Sequence, residues 1–317
     1  MGVAGVVRTS LSCVSARRTP QTFSFIFIER FMINNFTDKL CVITGGSSGI
    51  GLAIAEALAG ERARLLLVAR DSAALQTAAE HLRKLGAAEV QTLSADVSRD
   101  DDMARLGPAI AQMGEAADLL VQSAGIVSGG LVHEVPLDEW RRLHDINVLG
   151  VVRGIDAVLP AMLARAQRSG EGGHIVNIAS AAGLLGFPGL AAYGATKAAV
   201  VGLTESLRGE IASSGIGVTA VCPGFVRTPI ASKLQLFGRM NNPRTQRGVQ
   251  QWFERNKLDA NVVARRTLNA IRKNRRLVVV GRDAESGYWT KRVAPGVLER
   301  FLSKMTASMG RRAASPN

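Results

Sequence analysis

Short apolar runs alternate with longer stretches of helical period along most of the chain. Residues 39–44, 65–69, 89–94, 118–125, 174–180, 217–224 and 277–281 read as strands. Residues 53–63, 72–85, a segment after Asp100, 137–165, 191–213 and 260–273 read as helices, with Leu75, Ala79 and Leu82 on one face of the second. The strands are mostly uninterrupted Val, Leu and Ile, the pattern of strands covered on both faces. Strands alternating with helices predict one doubly wound α/β domain around a seven-stranded parallel sheet.

This pattern places a globular body at 37–283, with a non-globular extension at 1–36 and a basic tail at 284–317. The first 31 residues carry Arg8, Arg17, Arg18 and Arg30 against one acid, Glu29. That composition fits an organelle-targeting segment, and equally a true start at Met32. Residues 229–257 interrupt the pattern after the sixth strand and are expected to form a lid. They mix Ile230, Leu234, Leu236, Phe237, Met240, Trp252 and Phe253 with Lys233, Arg239, Arg244, Arg247 and Arg255. In the tail, Val297, Leu298, Phe301, Leu302, Met305 and Met309 recur at helical spacing. Such a helix fits packing on the body or on a second subunit, and also peripheral contact with an anionic membrane.

Apolar residues make up 47% of the 317 positions, enough for a large core, and aromatics only 5%. The net charge of +13 is unevenly spread: residues 37–226 carry 15 basic and 20 acidic side chains, residues 227–317 carry 20 and 5. A basic third suits an anionic partner or a solvated Arg-rich surface. It lacks the interleaved aromatics of a single-strand binder, so no nucleic acid is expected. Cys13, Cys41 and Cys222 show neither a pair nor metal spacing. This predicts no metal and a reducing, cytoplasmic setting. No run reaches the roughly 18 uninterrupted apolar residues of a membrane span.

The first strand ends in Thr44-Gly45-Gly46-Ser47-Ser48-Gly49-Ile50-Gly51 and leads into a helix. A glycine turn opening a helix lets backbone approach a pyrophosphate at a positive helix end. This makes the domain Rossmann-like and Gly45, Ser47, Ser48, Gly49, Ile50 and Gly51 candidate cofactor residues. An NAD site wants a carboxylate at the end of the second strand for the ribose 2′-OH. Ala69 stands there, followed by Arg70, which suits a 2′-phosphate; Asp71 should point away. The expected cofactor is NADP(H).

Further motifs follow in order: Asp96-Val97, Gln122-Ser123-Ala124-Gly125, Asn147 within DINVLG, Ser180, Tyr193-x-x-x-Lys197 and Pro223-Gly224-Phe225-Val226-Arg227-Thr228. With the glycine turn, this set resembles the short-chain dehydrogenase/reductase family from about Lys39 to Gly281. The resemblance implies a Ser180–Tyr193–Lys197–Asn147 tetrad, with Asn147 holding a water on a proton path to Lys197. It places Lys197 on the nicotinamide ribose, Asp96 and Val97 at the adenine, and Ala124 and Gly125 beside the cofactor. Pro223 and Gly224 would contact the cofactor, with Val226 and Thr228 on its carboxamide. The family has Asn-Asn-Ala-Gly after the fourth strand; Gln122 and Ser123 replace an Asn that braces strands there.

An unperturbed phenol, with pKa near ~10, exchanges protons poorly at neutral pH. Lys197 lies one helical turn from Tyr193, and its ammonium together with the oxidised nicotinamide should lower that value; Ser180 should bind the substrate oxygen. Cys222 reads as a small core residue. The expected activity interconverts a ketone and a secondary alcohol on a hydrophobic, lipid-like, steroid or acyl substrate. The alternatives are a 3-oxoacyl thioester reductase and a non-catalytic NADP-binding or membrane-associated regulator. The family resemblance also implies a homodimer or homotetramer through 137–165 and 191–213.

Overall fold

The computed structural model describes residues 33–230, 234–255 and 258–314, and side chains within these except those of 252–255 and 305–314. In chain order, β1 (Leu40–Thr44), α1 (Gly49–Ala59), β2 (Arg64–Ala69), α2 (Ser72–Lys84) and β3 (Glu89–Ser94) form the first half. Then come α3 (Asp100–Ala104), α4 (Leu106–Met113), β4 (Leu119–Gln122), β5 (Ser128–Gly129), α5 (Leu137–His144), α6 (Gly150–Ser169) and β6 (Gly173–Ile178). The remainder is α7 (Ala181–Leu185), α8 (Ala191–Glu210), β7 (Ile216–Pro223), β8 (Gln235–Leu236), α9 (Pro243–Arg255), α10 (Ala260–Arg272), β9 (Leu277–Val280), α11 (Arg282–Val293) and α12 (Pro295–Ala314).

Seven strands form one sheet in the order β3-β2-β1-β4-β6-β7-β9, every neighbouring pair parallel. Strand order reverses between β1 and β4, and in such sheets ligands bind outside the carboxyl ends of the strands at that point. The period of two within each strand divides the core. Ile43, Leu65, Leu67 and Val176 pack under Ile54, Leu58, Leu75 and Ile271. Val42, Leu66, Leu120 and Ile175 face Leu106, Ile110, Val158 and Met162. Thus both faces are covered, as the unbroken apolar strands require.

Two sequence boundaries shift. Phe36 is fully buried in the core with Arg272 stacked over its ring at 5.4 Å, so the body begins before residue 37. The rest of the N-terminal extension, residues 1–32, lies outside the described residues. At the other end α11 belongs to the body: Ala284 is buried against Leu185 and Ala181, and Lys291 donates to the Leu184 carbonyl. Leu298 of α12 joins the same cluster, while Trp289, Val293, Val297 and Phe301 are exposed. Met305 and Met309 lie outside the described side chains. Residues 137–169 form one continuous helical stretch, apolar enough by length and composition to cross a membrane. Yet Leu143, Val151, Val158 and Met162 of that stretch are buried within the domain.

His174 on β6 is 2% exposed and bonded through Nε2 to Thr219 Oγ1 at 2.8 Å, and that hydroxyl donates to the Arg275 carbonyl. Burial, then the Arg208 charge, lowers its pKa to about 3. The unfolded chain therefore takes up a proton below the ordinary value of 6.5 that the folded chain refuses. Stability is full above that pH and falls as pH drops, by about 1.4 kcal/mol per unit. Thermal unfolding between about pH 6.5 and 4.5 should show this loss, and His174→Gln, which keeps a donor towards Thr219 without a titrating ring, should flatten it.

Candidate active site

The glycine turn after β1 is built by close backbone contacts. Gly45 has φ +69°, and a Cβ there would lie 2.7 Å from the Ala124 nitrogen. A Cβ on Gly51 would lie 2.3 Å from the Gly45 carbonyl oxygen, so the first turn of α1 rests on the loop. No acid occupies the first turn of α1. Its free N–H groups and positive end therefore remain available to an anion. This cradle fits a dinucleotide pyrophosphate.

A cavity of about 1110 Å³ opens beside the turn. Of the sequence-predicted residues, Gly45, Ser48, Gly49, Ile50, Ala124, Gly125, Ser180, Tyr193, Lys197, Pro223, Gly224, Val226 and Thr228 line it. Ser47, Gly51, Arg70, Asp96, Val97 and Asn147 do not. The Val97 side chain is buried against Gly150, where a Cβ would meet it at 2.9 Å. Arg70 and Asp96 stand together beyond the cavity, 3.7 Å apart, at the ends of β2 and β3. Asp96 also accepts from the backbone and hydroxyl of Ser98. Asp71 turns away as expected, because its carboxylate caps α2 by accepting from the Ala74 nitrogen at 3.0 Å.

Lys197 Nζ donates to the Ile178 carbonyl at 2.9 Å and sits 5.9 Å from the centre of the Tyr193 ring. Burial lowers the lysine to about 8. Burial also raises Tyr193 to about 12, against the opposing hydrogen bond with Ser180. At this distance the ammonium does not offset the burial of the phenol. Desolvation of the charged form acts on both groups and outweighs their attraction. Ser180 caps α7, accepting from the Ala182 nitrogen at 3.1 Å.

Asn147 is fully buried within a π-helical turn, Asp145–Leu149, joining α5 to α6. Its amide donates to the Ile126 carbonyl and Thr196 Oγ1 and accepts from the Ile126 nitrogen. Both amide hydrogens are committed to protein. In this geometry Asn147 ties the loop after β4 to α8, one residue from Lys197. Cys222 is fully buried among Val151, Ala179 and Val200, and burial pushes its thiol up to about 12.

The brace expected to be missing after β4 is supplied by Gln122. Its Nε2 donates to the Val151 carbonyl at 2.8 Å and to Asn177 Oδ1 at 3.3 Å, joining β4 to α6 and β6. A Cβ on Gly154 would stand 2.1 Å from Gln122 Oε1, so the longer side chain fits only opposite glycine. Sequence reading could not pair these residues, 32 positions apart, without the fold.

The lid is rooted at β8, which pairs in parallel with β5. Arg239 Nε binds Glu134 Oε1 at 2.5 Å and holds that carboxylate below its usual range. Leu234, Leu236 and Met240 from the lid line the cavity together with Leu131, Phe187 and Leu190. Trp252, Phe253 and Arg255 lie outside the described side chains, and Lys233 outside the described residues. Among the described residues no cluster could hold a metal ion.

A model of the short chain dehydrogenase family matches residues 39–237. An uncharacterised oxidoreductase of Staphylococcus saprophyticus is 33% identical over 236 residues, 74% of this chain and 92% of that protein. A short-chain dehydrogenase/reductase of Burkholderia phymatum, solved in complex with NAD, superposes with a TM-score of 0.74 and 32% identity, over 84% of this chain and 96% of its own. L-Sorbose reductase of Gluconobacter frateurii, complexed with NADPH and L-sorbose, gives a TM-score of 0.67 and 28% identity, over 78% and 96%.

Proposed function

The chain belongs to the short-chain dehydrogenase/reductase family of oxidoreductases, and from that premise we propose that it is an NADP(H)-dependent reductase of hydrophobic ketones, working reversibly on the secondary alcohols. The observation that carries this reading is the convergence of Ser180, Tyr193 and Lys197 on one largely apolar cavity that also contains the glycine turn.

When bound, the dinucleotide supplies the hydride. The protein supplies the proton. Tyr193, raised to about 12, stays protonated across the physiological range and is a ready donor to a developing alkoxide. Ser180 offers its hydroxyl to the same oxygen. Lys197 holds positive charge near the phenol and loses it above about 8. Asn147 acts as a positioning residue, fixing Ile126 and Thr196 around them. Arg70 binds the 2′-phosphate, and the engagement of Asp71 in capping leaves no carboxylate at that point of β2 to favour a free 2′-OH.

The test is the pH dependence in both directions. Ketone reduction should hold up to about pH 8 and decline beyond it, while alcohol oxidation, which needs the phenolate, should rise steadily with pH. Two parallel profiles would remove Tyr193 and Lys197 as the proton-handling pair.

The proposed assembly is a homodimer or homotetramer through α6 and α8. Exposed Leu149 and Val152 beside the start of α6, with small Ala195, Ala198, Ala199 and Gly202 on α8, support close helix packing there.

A further inference from the structure

Among the described residues, four of the nine large apolar side chains that stand exposed fall within residues 289–301. Trp289 and Val293 lie one turn apart on α11, and Val297 and Phe301 one turn apart on α12. Each is between 58% and 81% exposed. The two helices are nonetheless seated on the domain. Leu298 of α12 packs in one cluster with Ala181, Leu185, Ala284 and Phe187, and Phe187 also lines the cavity. The helices meet at Ala294, whose carbonyl accepts from the Val297 nitrogen at 3.0 Å. Apolar side chains gathered on the outside of such an anchored element mark a contact surface.

The charge beside this surface is of one sign. Arg292 follows Trp289 by three residues, Arg300 follows Val297 by three, and Lys304 follows Phe301 by three. Each cation is therefore a neighbour of an apolar side chain on its own helix face. All three are exposed. Glu299 stands two positions from both Val297 and Phe301, a spacing that turns it to another face. From Trp289 to the last residue the chain carries six basic side chains and one acidic.

This combination selects the partner. In a two-fold contact the same surface meets itself, and the cations would be set against one another. An anionic lipid surface answers both features. Its headgroups attract the cations, and the boundary with the acyl chains takes the apolar side chains, a depth that tryptophan favours. We propose that α11 and α12 dock this protein on anionic membranes. Trp289, Val293, Val297 and Phe301 enter the headgroup–acyl boundary, and Arg292, Arg300 and Lys304 meet the phosphates. Because Leu298 shares a cluster with Phe187, the docked face adjoins the wall of the cavity.

The experiment floats the full-length protein with vesicles of phosphatidylcholine, and with vesicles of phosphatidylcholine and phosphatidylglycerol in equal parts. Binding to the mixed vesicles should be at least about tenfold tighter and should weaken as salt rises. Trp289→Ser/Phe301→Ser should weaken it by about 10- to 100-fold, because less apolar area is buried. Arg300→Gln/Lys304→Gln should weaken it by about 30-fold. Both double variants change exposed side chains only and should melt as the wild type does. Acyl-brominated lipid should quench the tryptophan fluorescence of the bound protein, and that quenching should be largely lost in Trp289→Phe. Equal or absent binding to the two vesicles overturns the proposal. So does binding that survives both double variants, which would place the contact elsewhere on the chain. A dimer that forms without lipid and dissociates in both double variants overturns it too, because the face would then join two copies.

Discussion

Tyr193→Phe is expected to lower ketone reduction by about 10²- to 10⁴-fold, the usual contribution of a positioned general acid, and to leave NADPH affinity nearly unchanged. The phenol stands with Ser180 in the cavity, and phenylalanine keeps the ring and its packing. Its elevated pKa keeps the phenol protonated before the cofactor binds. The ammonium of Lys197, 5.9 Å from the ring centre, lies too far to offset burial by itself. Alcohol oxidation must therefore draw on further positive charge in the loaded site, and the variant should lose that direction at least as completely. Lys197→Met would separate the roles. It should impair both directions and also disturb the loop end at Ile178, whose carbonyl the ammonium holds.

Arg70→Glu should reverse the dinucleotide preference. The arginine ends β2 two-thirds exposed, beside Asp96 at 3.7 Å. A 2′-phosphate arriving there gains charge-assisted bonds of about 1.5–3 kcal/mol each, and the glutamate replaces them with repulsion. The ratio of kcat/KM for NADPH over NADH should fall by about 10²- to 10³-fold, most of it through NADPH. Arg70→Ala removes only the attraction and should cost about tenfold. A ratio unmoved by both substitutions would show that the 2′-position is read elsewhere.

Much of this molecule is legible from its residues because parallel strands buried on both faces leave a plain signature. All seven strands of the main sheet were expected, since runs such as Leu65–Val68 have no polar face to blur them. The glycine turn is legible for the same local reason: Gly45 and Gly51 answer to backbone contacts inside one β-turn-α unit. What escaped depends on neighbours distant in sequence. Gln122 braces the sheet only because Gly154 gives it room. Phe36 reads as part of a loose extension until α10 brings Arg272 over its ring. The two-residue pairing of β5 with β8 has no periodicity to detect at all. The direction of the Tyr193 shift depends on how much water the folded cavity excludes, which spacing along a helix does not report.

The central claim is that the chain transfers hydride from NADPH to a ketone, with Tyr193 giving the proton. Its most direct test follows NADPH and NADH consumption, together with secondary alcohol formed, over a panel of hydrophobic ketones in the wild-type chain and in Tyr193→Phe. The account predicts alcohol formed mole for mole with NADPH consumed, faster than with NADH, and lost in the variant. Tight NADPH binding without turnover on any ketone, or turnover that survives in Tyr193→Phe, would contradict it.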